Sequence, residues 1–416
     1  MTAPAVLYLV HRLPYPPNKG DKIRSYHLLR YLARHYRVFL GTFVDDPEDR
    51  QYVSAVEALC EQVHVVELSS TWAKVLSVRG LLAGTALSIP FYRDHGLAMW
   101  VKRIAEQEDI RRVIAFSSTM AQYLFDQRLR GARRVVDFVD VDSDKWRQYA
   151  PTRPWPMRWV YGREGQKLLD FEREVIASCD AGVFVSEREA ALFRELAPAF
   201  GGKITHVNNG VDLEYFAPHQ KFANPYPEGV QPVTFVGAMD YWPNVDAVTW
   251  FADEIFPVVR ARRPSAHFFI VGGNATPRVK ELAGRTSISV AGRVDDVRPY
   301  LAHATVVVAP LRIARGVQNK VLESMAAARP TVVTPAALEG IDAVPGKEVL
   351  VADDATTFAD RVGEVIDGKV DGLALGLMAR ERVERAYDWD SNLASFRRLL
   401  EGECDPPEAI YGVVNG

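Results

Sequence analysis

The chain has 416 residues, of which 48% are hydrophobic and 25% charged, and its formal net charge at pH 7 is -3. The length predicts two or three domains with separate hydrophobic cores, and the composition is that of a globular protein. The small net charge gives no reason to expect a nucleic acid as partner, although the amino-terminal half is net positive.

Cysteine usage and the apolar runs limit the cellular context. Cys60, Cys179 and Cys404 are isolated, odd in number and without metal-site spacing. We interpret them as free thiols in a reducing compartment, which predicts a cytoplasmic protein. The apolar stretch at residues 5–10 lacks a preceding charged region and is predicted to be a first strand, not a signal peptide. No run reaches the roughly 18 apolar residues of a membrane-spanning helix.

The first half of the chain alternates short apolar runs with helical periodicity. Strands are predicted at residues 6–10, 38–43, 63–68, 111–116, 134–139, 181–185 and 204–207, and helices at 23–36, 47–60, 155–177, after residue 116 and after Ser186, which is a typical helix cap. The first strand runs into a loop that ends at Gly20, with Lys19 and Arg24 around the opening of the next helix. Such a helix start favours an anion, so this loop is a candidate anion site.

Two other segments of the first half carry chemistry. The strand at 134–139 is followed by clustered aspartates that include Asp140 and Asp142. These could hold a metal, supply one catalytic carboxylate or bind sugar hydroxyls; no ligand spacing favours a metal, and we predict none. Segment 72–103 interleaves aromatic with basic residues, which fits either a surface for lipid head groups or helices packed on a sheet.

A proline-rich linker precedes a second set of alternating strands and helices. Strands are predicted at 233–236, 266–271, 287–290, 305–310, 331–334 and 349–352, and the last amphipathic helix begins at Trp389. Two such sets predict two doubly wound α/β domains, with the default active site in the cleft between them. We expect domains at 1–213 and 233–388, a linker at 214–232, and a carboxyl-terminal helix and tail, 389–416, that packs back on the first domain.

The stretch at 309–334 is predicted to form strand, loop, helix and strand, and it is the best candidate binding site. Its loop lies at the carboxyl end of a strand, where open α/β sheets bind ligands. Gly316 permits close backbone approach, while Arg312, Arg315 and Lys320 offer cations to a phosphate. Glu323 would repel phosphates but can accept hydrogen bonds from sugar hydroxyls. Together these groups suit a nucleoside diphosphate; an ordinary βαβ unit with a solvated basic loop is the alternative.

Six motifs in order resemble the GT-B retaining glycosyltransferases of family four. They are PYPPNKGDKIR, VSEREA, NNGVDLEYF, FVGAMDYWPNVDAVTWF, AGRVDDVRPYLAHA and GVQNKVLESMAAARPTVV, and they extend over nearly the whole chain. The segments VDFVDVDSDKW and ARGVQNKVLE further resemble sugar transferases of exopolysaccharide clusters associated with the PEP-CTERM/exosortase system. The resemblance implies two Rossmann-like domains facing across a cleft, with the nucleotide sugar in the carboxyl-terminal domain and the acceptor in the amino-terminal one.

The resemblance also implies roles for individual residues. Glu323 matches the family's ribose-binding glutamate, but Arg315 stands where the family has its first glutamate. The usual Arg/Lys pair after the second domain's first strand is missing, and the family's cleft histidine has no match, Asp140 or Asp142 lying nearest. We expect catalytic roles for Lys320, Arg315 and Asp140. Donor binding is expected from Gly237, Asp240, Arg293, Arg312, Gly316, Gln318, Asn319, Lys320 and Glu323, and acceptor or phosphate binding from Lys19, Gly20, Arg24 and Asp142.

The implied activity is hexosyl transfer with retention from a nucleotide-diphosphate sugar to a growing saccharide or lipid-linked saccharide, in exopolysaccharide biosynthesis. No cofactor or metal is expected, and the inner face of the membrane is a further expected partner. A nucleotide-sugar epimerase on the same two-domain plan and a catalytically silent nucleotide-sugar binding protein are the alternatives. A dinucleotide oxidoreductase is disfavoured, because no glycine-rich fingerprint follows either first strand.

Overall fold

The computed structural model describes residues 3–17, 20–68, 84–314 and 316–403. The chain forms two compact units. The first unit takes in the chain up to Asn208 and resumes at Asp390, and the second spans Asn209–Trp389. Arg315, Lys19 and the aromatic and basic residues Trp72, Lys74 and Arg79, all singled out from the sequence, lie outside the described residues.

The first unit is built on a parallel seven-stranded sheet in the order β3-β2-β1-β4-β5-β6-β7. β1 is buried along its whole length, as its unbroken apolar sequence predicts for a central parallel strand. The strands are β1 Ala5–Val10, β2 Arg37–Val44, β3 Gln62–Glu67, β4 Ile110–Phe116, β5 Arg133–Val139, β6 Ala181–Phe184 and β7 Ile204–His206.

Helices of the first unit cover its sheet. The α-helices are α1 Gly20–Ala33, α2 Val53–Glu57, α3 Ser88–Phe91, α4 His95–Gln107, α5 Asp142–Tyr149, α6 Met157–Ser178 and α7 Glu187–Leu196, with 3-10 helices at Pro47–Tyr52, Ser118–Phe125, Gln127–Leu129, Ala150–Thr152 and Pro198–Lys203. The Ser186 side chain accepts from the N–H of Glu189, so the predicted cap of α7 is confirmed. The single helix predicted over 47–60 is wrong: its first half is a 3-10 helix that begins at Pro47.

The second unit has a parallel six-stranded sheet in the order β10-β9-β8-β11-β12-β13. Its strands are β8 Gln231–Val236, β9 Ala266–Val271, β10 Ile288–Gly292, β11 Val306–Ala309, β12 Thr331–Val333 and β13 Leu350–Val351. Its helices are α8 Trp242–Trp250, a π-helical turn at Phe251–Ile255, α9 Phe256–Arg262, α10 Pro277–Leu282, α11 Arg298–His303, α12 Asn319–Ala326, α13 Pro335–Leu338, α14 Ala355–Ile366 and α15 Gly372–Ala386.

In each sheet the chain adds strands first on one side of its first strand and then on the other. In the first unit the chain adds β2 and β3 on one side of β1 and then β4 on the other; in the second it adds β9 and β10 beside β8 and then β11 on the opposite side. Such a switch point leaves a crevice outside the carboxyl ends of the strands, where doubly wound sheets bind ligands. The loops after β1 and β4, and those after β8 and β11, are therefore the places to look for a site.

The last helix, α16 Trp389–Glu401, packs against the first unit. The phenol of Tyr36 donates to Glu401 Oε1 at 2.6 Å, and Arg112 Nε donates to the same oxygen at 2.8 Å. Arg133 Nε donates to the carbonyl of Leu399 at 2.7 Å. These bonds fix the helix against the amino-terminal ends of the sheet strands. Among the described helices, none is both long and apolar enough to cross a bilayer.

Two aromatic residues of segment 72–103, Tyr92 and Trp100, pack against other rings of the first unit. Trp100 is 3% exposed and stacks on His64 with ring centroids 5.5 Å apart. Tyr92 packs edge-on against Phe43 at 5.6 Å. Of the two alternatives given for this segment, helices packed on a sheet is the one that fits Trp100, because the apolar face of α4 uses that ring to cover the sheet.

Candidate functional site

Four loops of the second unit meet at the carboxyl edge of its sheet, because β10, β9, β8 and β11 are parallel neighbours. The loops after β8 and β9 approach most closely. A Cβ atom on Gly272 would lie 1.8 Å from the carbonyl oxygen of Gly237, and one on Gly237 would lie 2.8 Å from the Asn244 amide nitrogen. Position 272 therefore requires glycine, because the atom that a side chain would meet there belongs to the backbone. At Gly237, one of the predicted donor-binding residues, a Cβ atom would displace the Asn244 side chain.

Lys320 lies in the first turn of α12, beside the switch point between β8 and β11. Its Nζ donates to Asn244 Oδ1 at 2.5 Å and lies 5.1 Å from the centre of the Phe235 ring. Asn244 is 4% exposed and donates in turn to the carbonyl of Ala238 at 2.8 Å. The buried amide thus joins the loop after β8 to α12 and fixes the position of the Lys320 ammonium.

Glu323 follows Lys320 by three residues and shares its helix face. Burial raises the pKa of Glu323 to about 7, although the Lys320 charge opposes that shift. Burial lowers the pKa of Lys320 to about 8, although the Glu323 charge opposes that shift in turn. A cation and a carboxylate that both titrate near neutral pH lie one helical turn apart, which is typical of functional sites.

The loop between β11 and α12 places the remaining predicted donor residues. Arg312 forms a two-point ion pair with Asp246 of α8, with Nη2–Oδ1 at 2.6 Å and Nε–Oδ2 at 3.0 Å. Gly316 has a φ of 62°, the left-handed conformation that glycine adopts at no cost, and its carbonyl accepts from Gln318 Nε2 at 3.3 Å. Asn319 Oδ1 is buried and has no hydrogen-bond partner among the described residues.

Two more predicted donor residues flank the loop after β9. Asp240 accepts from Asn274 Nδ2 at 3.2 Å. Arg293, just after β10, is exposed, and its methylene groups lie beside Gly273. The predicted donor residues thus come from the loops after β8, β10 and β11 and from the start of α12, so the structure brings all of the described ones to one edge of the sheet.

In the first unit, charged side chains cluster where β1 ends. Arg12 bridges two carboxylates, with Nη1 2.7 Å from Asp21 Oδ2 and Nε 2.8 Å from Asp45 Oδ2. His11 Nε2 lies 3.4 Å from Asp21 Oδ2, and its ring stacks on Phe116. Burial alone would raise the pKa of Asp21, but His11 and Arg12 hold it well below its ordinary value. Gly20 is the exposed first residue of α1, directly before this cluster.

Arg24 corrects a prediction made from the sequence. Its side chain is 1% exposed, with Nε and Nη2 on Asp137 at 2.8 and 3.2 Å and Nη1 on the carbonyl of Val207 at 2.8 Å. Asp137 is fully buried in β5, ahead of the acidic loop. A guanidinium enclosed with its carboxylate partner is not available to a phosphate, and the pair instead fixes α1 to the sheet.

The acidic loop after β5 contains a smaller cluster than the sequence predicts. Lys145 Nζ lies 2.7 Å from Asp140 Oδ2 and 3.1 Å from Asp142 Oδ1. Burial would lower the pKa of Lys145, but the two carboxylates raise it above its ordinary value. Val139 has a φ of 68°, which is strained for a β-branched residue and redirects the chain into this cluster. Asp140 and Asp142 are thus held together by one cation.

The described residues contain no group of three or more metal-ligating side chains with the geometry to hold an ion. Asn244, Asp246 and His11 are candidate site residues that the sequence reasoning missed. A usable signal existed for each: His11 directly follows the first buried strand, and the other two lie in the first turns of the helix after the second unit's first strand.

Comparison with known proteins bears on both units. Residues 231–368 match the family model described as "Glycosyl transferases group 1". Over these residues the second unit is similar to group 1 glycosyl transferases. The matched range includes β8 to β13 and every described donor-side residue named above. No curated protein matches the chain.

Solved structures match the chain over almost its full length. The sucrose-phosphate synthase of Thermosynechococcus elongatus aligns with a TM-score of 0.70 at 17% identity, covering 96% of this chain and 98% of that one. HepE of Anabaena, solved in complex with UDP, aligns with a TM-score of 0.64 at 14% identity, covering 97% and 100%. WaaG, a glycosyltransferase involved in lipopolysaccharide biosynthesis, aligns with a TM-score of 0.62 at 15% identity, covering 95% and 100%. The predicted GT-B fold of two Rossmann-like domains is confirmed.

Proposed function

We propose that the chain is a retaining hexosyltransferase that moves a sugar from a nucleoside-diphosphate sugar to a growing saccharide or lipid-linked saccharide. The observation that carries the proposal is the start of α12, where Lys320 and Glu323 lie one turn apart at the switch point of a group 1 glycosyl transferase domain. A fixed ammonium suits a diphosphate, and a carboxylate just beyond it suits the hydroxyls of a ribose.

The choice of nucleotide follows from the structural neighbours. HepE of Anabaena has been solved with UDP and also with UDP-glucose. A uridine nucleotide is therefore the first donor to test. The proposed role in exopolysaccharide biosynthesis rests on the sequence resemblance, and WaaG offers a parallel in lipopolysaccharide biosynthesis.

In the proposed reaction the bond between sugar and diphosphate breaks while the acceptor hydroxyl bonds to the same anomeric carbon on the same face. Negative charge grows on the leaving diphosphate. Lys320, held by Asn244, and the free N–H groups at the start of α12 stabilise that charge, and Arg315 is predicted to join them. The leaving diphosphate takes the acceptor proton, so no strong protein base is required.

The acceptor is assigned to the first unit. Asp140 and Asp142, joined by Lys145, present carboxylate oxygens that can accept hydrogen bonds from saccharide hydroxyls. Their ion pair with Lys145 keeps them oriented before the acceptor arrives. In this proposal Asp140 positions the acceptor hydroxyl and does not remove its proton.

The test is a transfer assay with UDP-glucose and a panel of saccharide and lipid-linked acceptors, with the anomeric configuration of the product read by NMR. Lys320→Ala is expected to lower turnover by about a hundredfold, the effect of losing one charge-stabilising group. The matched control is Lys280→Ala, an exposed lysine of α10 in the same unit, which should react like the wild type. A near wild-type rate for Lys320→Ala would remove Lys320 from the mechanism.

The same assay separates the alternatives. An inverted product would contradict retention. A nucleotide sugar that changes configuration without an acceptor would identify an epimerase, and nucleotide binding without any turnover would identify a binding protein.

A further inference from the structure

Three large apolar side chains are presented to solvent at the start of α6. Trp155 is 85% exposed, Trp159 58% and Met157 44%. We call these three residues the tryptophan patch. They belong to a run of nine consecutive exposed residues, 151–159. Soluble proteins rarely leave such aromatic groups together on the surface unless the surface binds something.

The tryptophan patch is held in place by ordered structure. The N–H of Trp159 donates to the carbonyl of Pro156 at 3.1 Å. One turn further along α6, Tyr161 packs edge-on against Trp146 of α5 at 4.7 Å, and Arg153 lies over the Tyr161 ring at 5.4 Å. The helix then continues into the core through Leu168 and neighbouring buried residues. The patch is thus a fixed projection from a helical hairpin.

In the segment that carries the patch, every charged residue is basic. Between residues 146 and 163 the chain carries Arg147, Arg153, Arg158 and Arg163 and no acidic residue. Among the described residues, Arg147, Arg153 and Arg158 form no ion pair. Unpaired guanidinium groups beside exposed tryptophans complement a surface that is anionic outside and apolar beneath.

We propose that the tryptophan patch docks the chain on an anionic lipid bilayer. The two indole rings and Met157 would enter the boundary between head groups and acyl chains, where tryptophan is favoured, and the arginines would meet lipid phosphates. A second copy of the chain is a poorer occupant, because a two-fold contact would bring the arginines against their own copies. This surface differs from the segment predicted at 72–103, and it does not depend on the proposed transfer reaction.

The experiment is co-sedimentation of the full chain with vesicles of phosphatidylcholine alone or mixed with phosphatidylglycerol. We expect binding to the mixed vesicles, weaker binding to the neutral ones and a loss of binding as salt is raised. Trp155→Ser with Trp159→Ser should weaken binding at least about tenfold, since both apolar groups are lost. Arg153→Gln with Arg158→Gln should also weaken it about tenfold or more, and only on anionic vesicles.

A matched control comes from another exposed apolar pair. Leu373 and Leu377 of α15 are 71% and 51% exposed, and their double change to serine should leave vesicle binding unchanged. The proposal is overturned if the wild type stays in solution, or if the double tryptophan variant sediments like the wild type. It is also overturned if that variant instead abolishes a concentration-dependent dimer, which would identify a protein interface. No substrate is present, so each outcome is independent of whether the chain transfers sugar.

Discussion

The affinity of the second unit for UDP-glucose should depend on pH in a way that Lys320 and Glu323 determine. Both oxygens of a carboxylate can accept hydrogen bonds from ribose hydroxyls only when it is ionised, because protonation turns one oxygen into a donor. An ammonium attracts a diphosphate only while it holds its proton. Burial raises the pKa of Glu323 to about 7 and lowers that of Lys320 to about 8. Affinity should therefore rise with pH through 7 and fall again above 8.

We call the loss of affinity on the acidic side of the pH profile the acidic limb. Its size follows from the pKa of Glu323. With a pKa of about 7, about one-tenth of the Glu323 side chains are ionised at pH 6. If only the form with Glu323 ionised and Lys320 protonated binds, the dissociation constant at pH 6 should be about sixfold larger than its minimum at about pH 7.5, or about 1.1 kcal/mol, because the two titrations overlap. UDP-glucose suits the test because its diphosphate is esterified at both ends and does not gain or lose a proton in this range.

The assay is isothermal titration calorimetry across pH 5.5 to 9.5 (roughly the range that spans both groups) with wild type and Glu323→Gln. The variant should lose the acidic limb. Its alkaline limb should move to lower pH, because the charge that holds the Lys320 pKa up is gone. Lys280→Ala is the control and should reproduce the wild-type profile.

Two results would refute this reasoning. A wild-type affinity that does not change between pH 6 and pH 8 (about one unit either side of the Glu323 pKa) would show that Glu323 does not act as a carboxylate acceptor. An acidic limb that persists in Glu323→Gln would assign the titration to another group.

Two further predictions concern stability. Arg24→Met should lower the free energy of unfolding of the first unit by about 3–5 kcal/mol, because Asp137 is left buried and unpaired. The control, Arg262→Met, breaks an exposed ion pair and should lower the free energy of unfolding by under about 1 kcal/mol. Equal melting temperatures for the two variants would contradict this difference. Gly272→Ala should lower the free energy of unfolding by at least about 2 kcal/mol, because its Cβ would overlap the Gly237 carbonyl. The same variant should bind nucleotide more weakly. A variant that melts and binds like the wild type would show that the loops after β8 and β9 are not closely packed.

The alternation of strands and helices was predictable because it depends on local periodicity. Strands such as β1 and β11 are unbroken apolar runs, and helices such as α12 and α14 have a one-sided apolar face, so both units could be recognised from short windows of sequence. Ser186 is a case in point: its role as a cap depends on three neighbouring residues only. The candidate site at the start of α12 could be proposed from the sequence for the same reason, because strand, loop and helix are consecutive.

The partners of the charged residues could not be predicted from local sequence. Arg24 meets Asp137 across 113 residues of chain, and Lys320 meets Asn244 across 76. Sequence periodicity does not indicate such pairs. The sequence therefore assigns Arg24 to phosphate binding, although its side chain is buried in the core. Trp100 and Trp155 show the same limit for aromatic side chains: both lie near basic residues in the sequence, but only the fold decides that one is buried and the other exposed.

The central claim is that the second unit binds a nucleoside diphosphate through α12, and thermal unfolding with UDP, GDP, ADP, CMP and NAD tests it most directly. A ligand at a hundred times its dissociation constant stabilises the folded state by about 2.7 kcal/mol. We predict that one nucleoside diphosphate, UDP first, raises the melting temperature of the wild type and not of Glu323→Ala. Stabilisation by none of the nucleotides, or by NAD alone, would contradict the claim.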